Sequence, residues 1–552
     1  MGSHKKKKFK YKENLTPTPQ PEQHTYKPEV TAKSLKDLKG IIIANVPIFA
    51  ILAFICALIY ANTINGQFIT GDDMTGIVWN PQVTDLAGSL KTFELNAVHL
   101  AVFYKLFGFN PTAFHVRSII FHTLNTFLVF LLIHILFNKK IALIASLLFA
   151  VHPLNTEAVS WISGIPYIFT SIFALIVLIS YSIYRQSRNK RSFWISVLAY
   201  LLAVAIYRSF WVLTIPIILV ILDQFFFEKK INYKNIKLYV PFVIISAIFI
   251  LLYVSKSYTQ RLTFLKQEYY FDPHSATPLL NRTPYTIFMA AKLLIFPLEM
   301  SIYTDEGKVI THQYYVAMVI TTILFTITAI YLWKKKRIYA GFIFIILASI
   351  LPSFSPVVIA WFVADRYLYL GTAIFCTMIA LILDKLETKY KIQYLTAIAV
   401  TILFIMYSIR TVIRNNDWKN SKTLWSSTQI TTPGSYRVYN NLGDVYFREG
   451  NYQLAIEYFQ KSINIYPGFA DAVHNLGFTY MTIGDYENAR KELLKSYEIN
   501  PRLYQSLIKL GVIEYNQKNY AKAKEYFQKT LEINPDNVDA KNALDKLNGL
   551  GF

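Results

Sequence analysis

Apolar residues in this chain come in long unbroken runs. Between residues 41 and 413 they form eleven segments: 41–61, 116–137, 140–152, 161–184, 192–207, 209–227, 238–257, 314–333, 338–353, 366–383 and 393–412. A helix crossing a bilayer needs about 20 apolar residues, and fewer where neighbours shelter it. The pattern therefore predicts an all-α, polytopic membrane bundle of about eleven helices over 41–413. The stretch 284–300 (PYTIFMAAKLLIFPLEM) is apolar too, but it carries Lys292 and a proline. It reads as a surface-lying or re-entrant helix, because a crossing there would reverse the orientation of everything after it.

Charge decides that orientation, since cytoplasmic loops collect Lys and Arg. With 284–300 kept out of the count, one side receives residues 1–40, Lys139 and Lys140, the RQSRNKR run at 185–191, EKKINYKNIK, KKKR at 334–337 and the 384–392 loop. The opposite loops, 62–115 and 258–313, are long and poor in base. The N-terminus is then cytoplasmic, and everything after 413 is extracytoplasmic. No secretory signal peptide is expected, because about forty polar, basic residues precede the first apolar run.

The tail has a different rhythm. Leu442-Gly443, Leu476-Gly477 and Leu510-Gly511 recur at a step of 34, as do Tyr452, Tyr486 and Tyr520, then Ala455, Ala489 and Ala523, then Pro467, Pro501 and Pro535. That step is the tetratricopeptide (TPR) period. Residues 436–548 thus predict a three-repeat α-solenoid closed by a capping helix at 538–548, with 414–435 as its linker. Asn441, Asn475 and Lys509 share one register in the groove such arrays present. They would meet an extended polypeptide partner there, or else the array only scaffolds and oligomerises the membrane part.

Composition changes this picture little. The chain is 54% hydrophobic and 16% charged, against about 25% charged for an ordinary soluble domain. Its formal net charge of +22 follows membrane topology and anionic lipid, not nucleic acid. Cys56 and Cys376 lie in separate apolar runs and offer neither a zinc pattern nor a disulfide framework.

The polar residues left at span ends gather on the extracytoplasmic side: Asp72, Asp73, His152, Glu157, Arg208, Asp365 and Arg366. Charges near a membrane are costly, which marks such a cluster as a candidate site. An adjacent acidic pair can serve as a general base, bind a cation or merely solvate a turn. A neighbouring carboxylate raises its partner's pKa, which suits base chemistry. A metal would need more oxygen ligands than the loop supplies, so no cofactor is required, although a divalent ion remains open. Arg208, Arg366 or Lys292 can offset charge on a phosphate or anchor the chain at the interface. His152 suits a structural hydrogen bond, and Glu157 a helix cap.

The order of motifs resembles a known family. FITGDDMTGIVWNP is followed by KLFGFNPTAFHVRSIIFHTLNTFLVFLL, LFAVHPLNTEAVSWISG, LTIPIILVILDQ, FPLEMSIY and SPVVIAWFVADRYLYL, and then by the repeats. This arrangement resembles the transmembrane and tetratricopeptide repeat O-mannosyltransferases of animals and their bacterial TPR membrane relatives, of the GT-C class. The resemblance implies transfer of a sugar, such as mannose, from a polyprenyl phosphate carrier to a Ser or Thr of a polypeptide outside the cytoplasm of a bacterial inner or plasma membrane. It matches Asp72 or Asp73 to the catalytic base and Arg366 to a basic position near the donor phosphate. Asp365 stands where the family often has glutamate, Arg208 where bacterial relatives usually have lysine, and His152 and Glu157 in the HP…TEAV motif. One departure is Ile165-Pro166-Tyr167, where relatives usually carry charged residues. Two other functions fit the same architecture: a non-enzymatic TPR scaffold for envelope assembly, and a lipid-linked sugar transporter. Transport is disfavoured because the polar cluster lies at span ends and not at mid-membrane.

Overall fold

The computed structural model describes residues 34–92, 94–207, 210–229, 233–254, 279–302, 312–354 and 363–551. Every regular element among them is helical, as expected where apolar backbone must satisfy its own hydrogen bonds. Six helices are long and apolar enough to cross a membrane, or up to eight when each of two bent pairs counts as one span. Three shorter apolar helices, Phe210–Phe225, Val240–Tyr253 and Arg337–Ser349, fall on the remaining expected segments. Leu279–Ile295 packs as a separate 17-residue helix that is not among those long enough to cross.

Pro111–Leu136, Ile162–Ser187 and Asp365–Tyr390 form the centre, with 61–67% of their apolar windows buried, whereas Gln313–Lys335 (11%) and Leu395–Asp417 (22%) lie at the margin. One bent pair shapes the site. Pro153 follows Lys139–Val151, and the chain turns by 54° into Pro153–Ser160, because proline cannot donate to the helix ladder. At the other end of the central helix, about 33 Å from its start at 1.5 Å per residue, Arg185 pairs with buried Asp223 at 2.7 Å. Asp223 also accepts hydrogen bonds from Tyr181 (2.8 Å) and Tyr239 (2.7 Å). Lys140 reaches Asp384 and Glu387 near that same end.

The solenoid follows the predicted register. Its helix pairs are Tyr436–Arg448 with Tyr452–Ile465, Ala470–Thr482 with Tyr486–Ile499, and Tyr504–Asn516 with Tyr520–Ile533, capped by Val538–Gly549. The repeated glycines exist because the paired helix is too close for a side chain. A β-carbon on Gly443 would come within 2.6 Å of Phe459, and one on Gly511 within 2.7 Å of Phe527. The 414–435 connection has structure of its own: Leu395–Asp417 runs past residue 413, and Ser421–Thr431 forms a further helix with a capping box at Asn420.

Replacing Asp223 with alanine strands the Arg185 cation in the core. The expected result is a loss of about 3 kcal/mol or more in stability, measured by thermal unfolding of the detergent-solubilised protein, with Asp223→Asn losing less.

Candidate active site

The bend at Pro153 sets the first part of the site. His152 ends the preceding helix, and its Nδ1 accepts from the backbone N–H of Leu154 at 3.3 Å. Its ring packs on Tyr407 with centroids 4.5 Å apart, and its Nε2 makes no hydrogen bond among the described residues. The short helix Thr156–Ser160 then aims Glu157, which is buried, at the turn Asp365–Leu368. There Glu157 accepts from the Arg366 guanidinium and, at 2.9 Å, from the backbone N–H of Arg366. Rings of Trp161 (5.3 Å), Tyr367 (5.1 Å) and Tyr167 (5.8 Å) surround that guanidinium. Asp365 faces the buried Arg414 at 3.8 Å, and Arg414 pairs in turn with Asp417 at 3.0 Å.

The loop after the first span completes the constellation and separates the two acids. Asp73 is 1% exposed. Its carboxylate accepts from the backbone N–H of Ile69 (2.9 Å), the backbone N–H of Ser163 (2.9 Å) and the Ser163 hydroxyl. Burial pushes its pKa up to about 6 against the pull of those hydrogen bonds, with a small further push from Asp72. Asp72 is exposed. In the other half of the site, the Tyr167 ring stands 5.8 Å from the Arg366 guanidinium. The departure at 165–167 thus places an aromatic phenol beside that cation.

This loop is held from above as well as below. The backbone N–H of Gln67 donates to the Lys419 carbonyl and that of Thr70 to the Ser421 hydroxyl, both at 2.8 Å. Ile69 and Trp161 pack with Trp418, Leu424 and Trp425, and the same cluster takes in Val438 and Leu442 of the first repeat. Trp161 stacks on Trp418 with centroids 5.8 Å apart.

Other sequence-derived candidates fall differently. Arg208 lies outside the described residues. Lys292 pairs with Glu299 at 2.7 Å on the surface of its helix, so its cation is turned to a local acid. In the repeats, Asn475 donates to Asn440 at 3.0 Å, Lys509 sits over Phe478 at 4.2 Å, and Asn441 is half-buried beside them. Among the described residues no three His, Cys, Asp or Glu side chains come together to hold a metal ion. Ser163, Arg414 and the three tryptophans were not singled out from the sequence, although Trp161 and Ser163 lie inside the quoted LFAVHPLNTEAVSWISG motif; Tyr167 entered only as part of the 165–167 departure.

Comparison with known proteins returns the relatives the motifs suggested. The Tetratricopeptide repeat family matches residues 436–469, 470–503 and 504–537. Protein O-mannosyl-transferase TMTC3 of Homo sapiens is 25% identical over 411 residues, covering 68% of this chain and 44% of that protein. Protein O-mannosyl-transferase F38B6.6 of Caenorhabditis elegans is 28% identical over 389 residues, covering 68% and 53%. The chain therefore spans about half the length of the curated relatives it matches. Among solved structures, the first TPR of Spaghetti (RPAP3) bound to an HSP90 peptide is 22% identical, covering 21% of this chain and 94% of that one, with a TM-score of 0.21.

Asp73 carries a pH signature. Its folded pKa is raised, so the folded state holds the proton more tightly than the unfolded chain, and stability falls as pH rises from about 4 to about 6. Relative to Asp73→Asn, the wild type is expected to lose on the order of 3 kcal/mol across that window. Thermal unfolding at several pH values reads it.

Proposed function

We propose that this chain is a membrane glycosyltransferase that moves a sugar from a polyprenyl-phosphate-linked donor to a Ser or Thr hydroxyl of a polypeptide on the extracytoplasmic face. The observation that carries the reading is the division of labour in the acidic pair: Asp73 is spent on Ile69 and Ser163 while Asp72 stands exposed beside it. Similarity to named protein O-mannosyl-transferases supports the reaction class.

In this reading Asp72 is the base. The acceptor oxygen forms a bond to the anomeric carbon, its proton passes to the Asp72 carboxylate, and the bond from that carbon to the phosphate oxygen breaks. The anomeric centre inverts in a single displacement, and polyprenyl phosphate leaves with the bonding electron pair. A positioned base contributes typically 10²–10⁴-fold. Asp73 is a positioning residue that fixes the loop against Ser163. Arg366, oriented by Glu157 and its aromatic walls, supplies positive potential on the leaving-group side, where charge develops. The repeats present the polypeptide acceptor. The tryptophan junction with the first repeat supports that role, because it joins the groove-bearing array to the loop that carries the base.

Purified protein given radiolabelled polyprenyl-phosphate hexoses and secreted polypeptides of its host is expected to transfer label. Asp72→Asn is expected to lower kcat at least 100-fold with thermal stability unchanged, in line with loss of a general base. Equal label incorporation by wild type and Asp72→Asn defeats the assignment of the base. No transfer from any donor by folded protein favours a membrane-anchored scaffold.

A further inference from the structure

Arg117 is less than two turns into the helix Pro111–Leu136, at the end of the bundle that holds Asp73, and is 5% exposed. The rings of Phe103 and Phe114 stand 4.8 Å from its guanidinium. Among the described residues, none of its three nitrogens makes a hydrogen bond. Two other buried arginines at this end are paired: Arg366 with Glu157, and Arg414 with Asp417. Of the groups close enough to feel the Arg117 charge, Asp73 is bound by Ile69 and Ser163, and the His99 Nδ1 and Tyr207 hydroxyl share a hydrogen bond at 2.6 Å. His115 makes no hydrogen bond through either ring nitrogen among the described residues, and as a base it offers the cation no negative charge.

Arginine cannot shed its charge at any ordinary pH. A buried cation without a hydrogen-bonded acid is strongly unfavourable unless a ligand completes it. Aromatic rings cover the faces of a guanidinium and leave its edge, where the N–H groups point, unspent. That edge matches two oxygens of a phosphate. The surroundings indicate what the phosphate is attached to. Val116, Ile120 and Leu124 form an exposed apolar stripe on the same helix, and Leu106 and Phe107 are exposed on the helix that carries Phe103.

We propose that Arg117 is a phosphate-binding residue for an amphiphile with a phosphate-ester head and a long apolar tail. Resting on the function proposed above, this is the polyprenyl phosphate of the donor and leaving group. Arg117 then supplies a cation for that phosphate separate from Arg366, which Glu157 already partners.

The test uses the full chain in detergent with three probes: undecaprenyl phosphate, the neutral alcohol undecaprenol, and inorganic phosphate. Affinity is read by native mass spectrometry or tryptophan quenching, and unliganded thermal unfolding is read in parallel. Wild type is expected to prefer the lipid phosphate over the alcohol at least tenfold, with inorganic phosphate a poor competitor. Arg117→Met is expected to lose that preference while unfolding at the same or a higher temperature, because an uncompensated charge has been replaced by an apolar side chain of similar length. Arg117→Lys keeps part of the preference.

A methionine variant that binds like wild type, or that unfolds at a clearly lower temperature, makes Arg117 a packing residue and leaves the donor assignment standing. Absence of any preference in wild type overturns both. Inorganic phosphate competing as well as the lipid overturns the amphiphile and leaves a soluble-anion site.

Discussion

A charge buried at the end of a membrane bundle is costly until something compensates it, and at Glu157 and Arg366 the chain supplies that compensation from within. The pair joins turns 209 residues apart and involves both the side chain and the backbone N–H of Arg366. Breaking it would leave one uncompensated charge among aromatic rings, which is why the two turns behave as one unit. Trp161 and Tyr167 reach the guanidinium from the strand of chain after Glu157, and Tyr367 from the residue after Arg366. Asp365 is carried by the same turn to Arg414, and Asn415 receives the Ser160 hydroxyl at 2.9 Å. One ion pair therefore sets the frame on which the acidic loop rests.

On that frame, adjacency in sequence becomes difference in environment. Asp72 and Asp73 are chemically identical and one bond apart, yet one is solvated and the other is enclosed with three hydrogen bonds. Environment, not residue type, gives paired carboxylates separate roles. The buried member holds geometry, and the exposed member faces solvent.

The helices and repeats were legible in the sequence because their signals are local. Run length marks the apolar rods, and a 34-residue step marks the solenoid, down to the glycines that Phe459 and Phe527 press against. The acidic pair and the HP…TEAV and ADRYL turns were legible as polar residues stranded at span ends. What could not be read was pairing. Nothing in the string says that Ser163 will bind Asp73, that Lys292 will turn to Glu299 or that Asn475 will turn to Asn440. Tyr167 looked like a missing charge, and only its neighbours show it set against the Arg366 guanidinium. The 414–435 connection looked like spacer because its two tryptophans have no periodic partners, whereas Trp418 stacks on Trp161 and Trp425, like Ser421, reaches Thr70 about 350 positions earlier.

That last contact orders events in time. The backbone N–H of Thr70 waits for the hydroxyl of Ser421, 351 residues downstream, and at roughly 5–20 residues per second synthesis of the intervening chain takes tens of seconds. The acidic loop leaves the ribosome early but cannot reach its final conformation until the first repeat has emerged behind the last apolar segment. An unfinished chain has its bundle without its keystone. The end of the bundle that carries the acidic loop closes only once the segment that covers it has also been made.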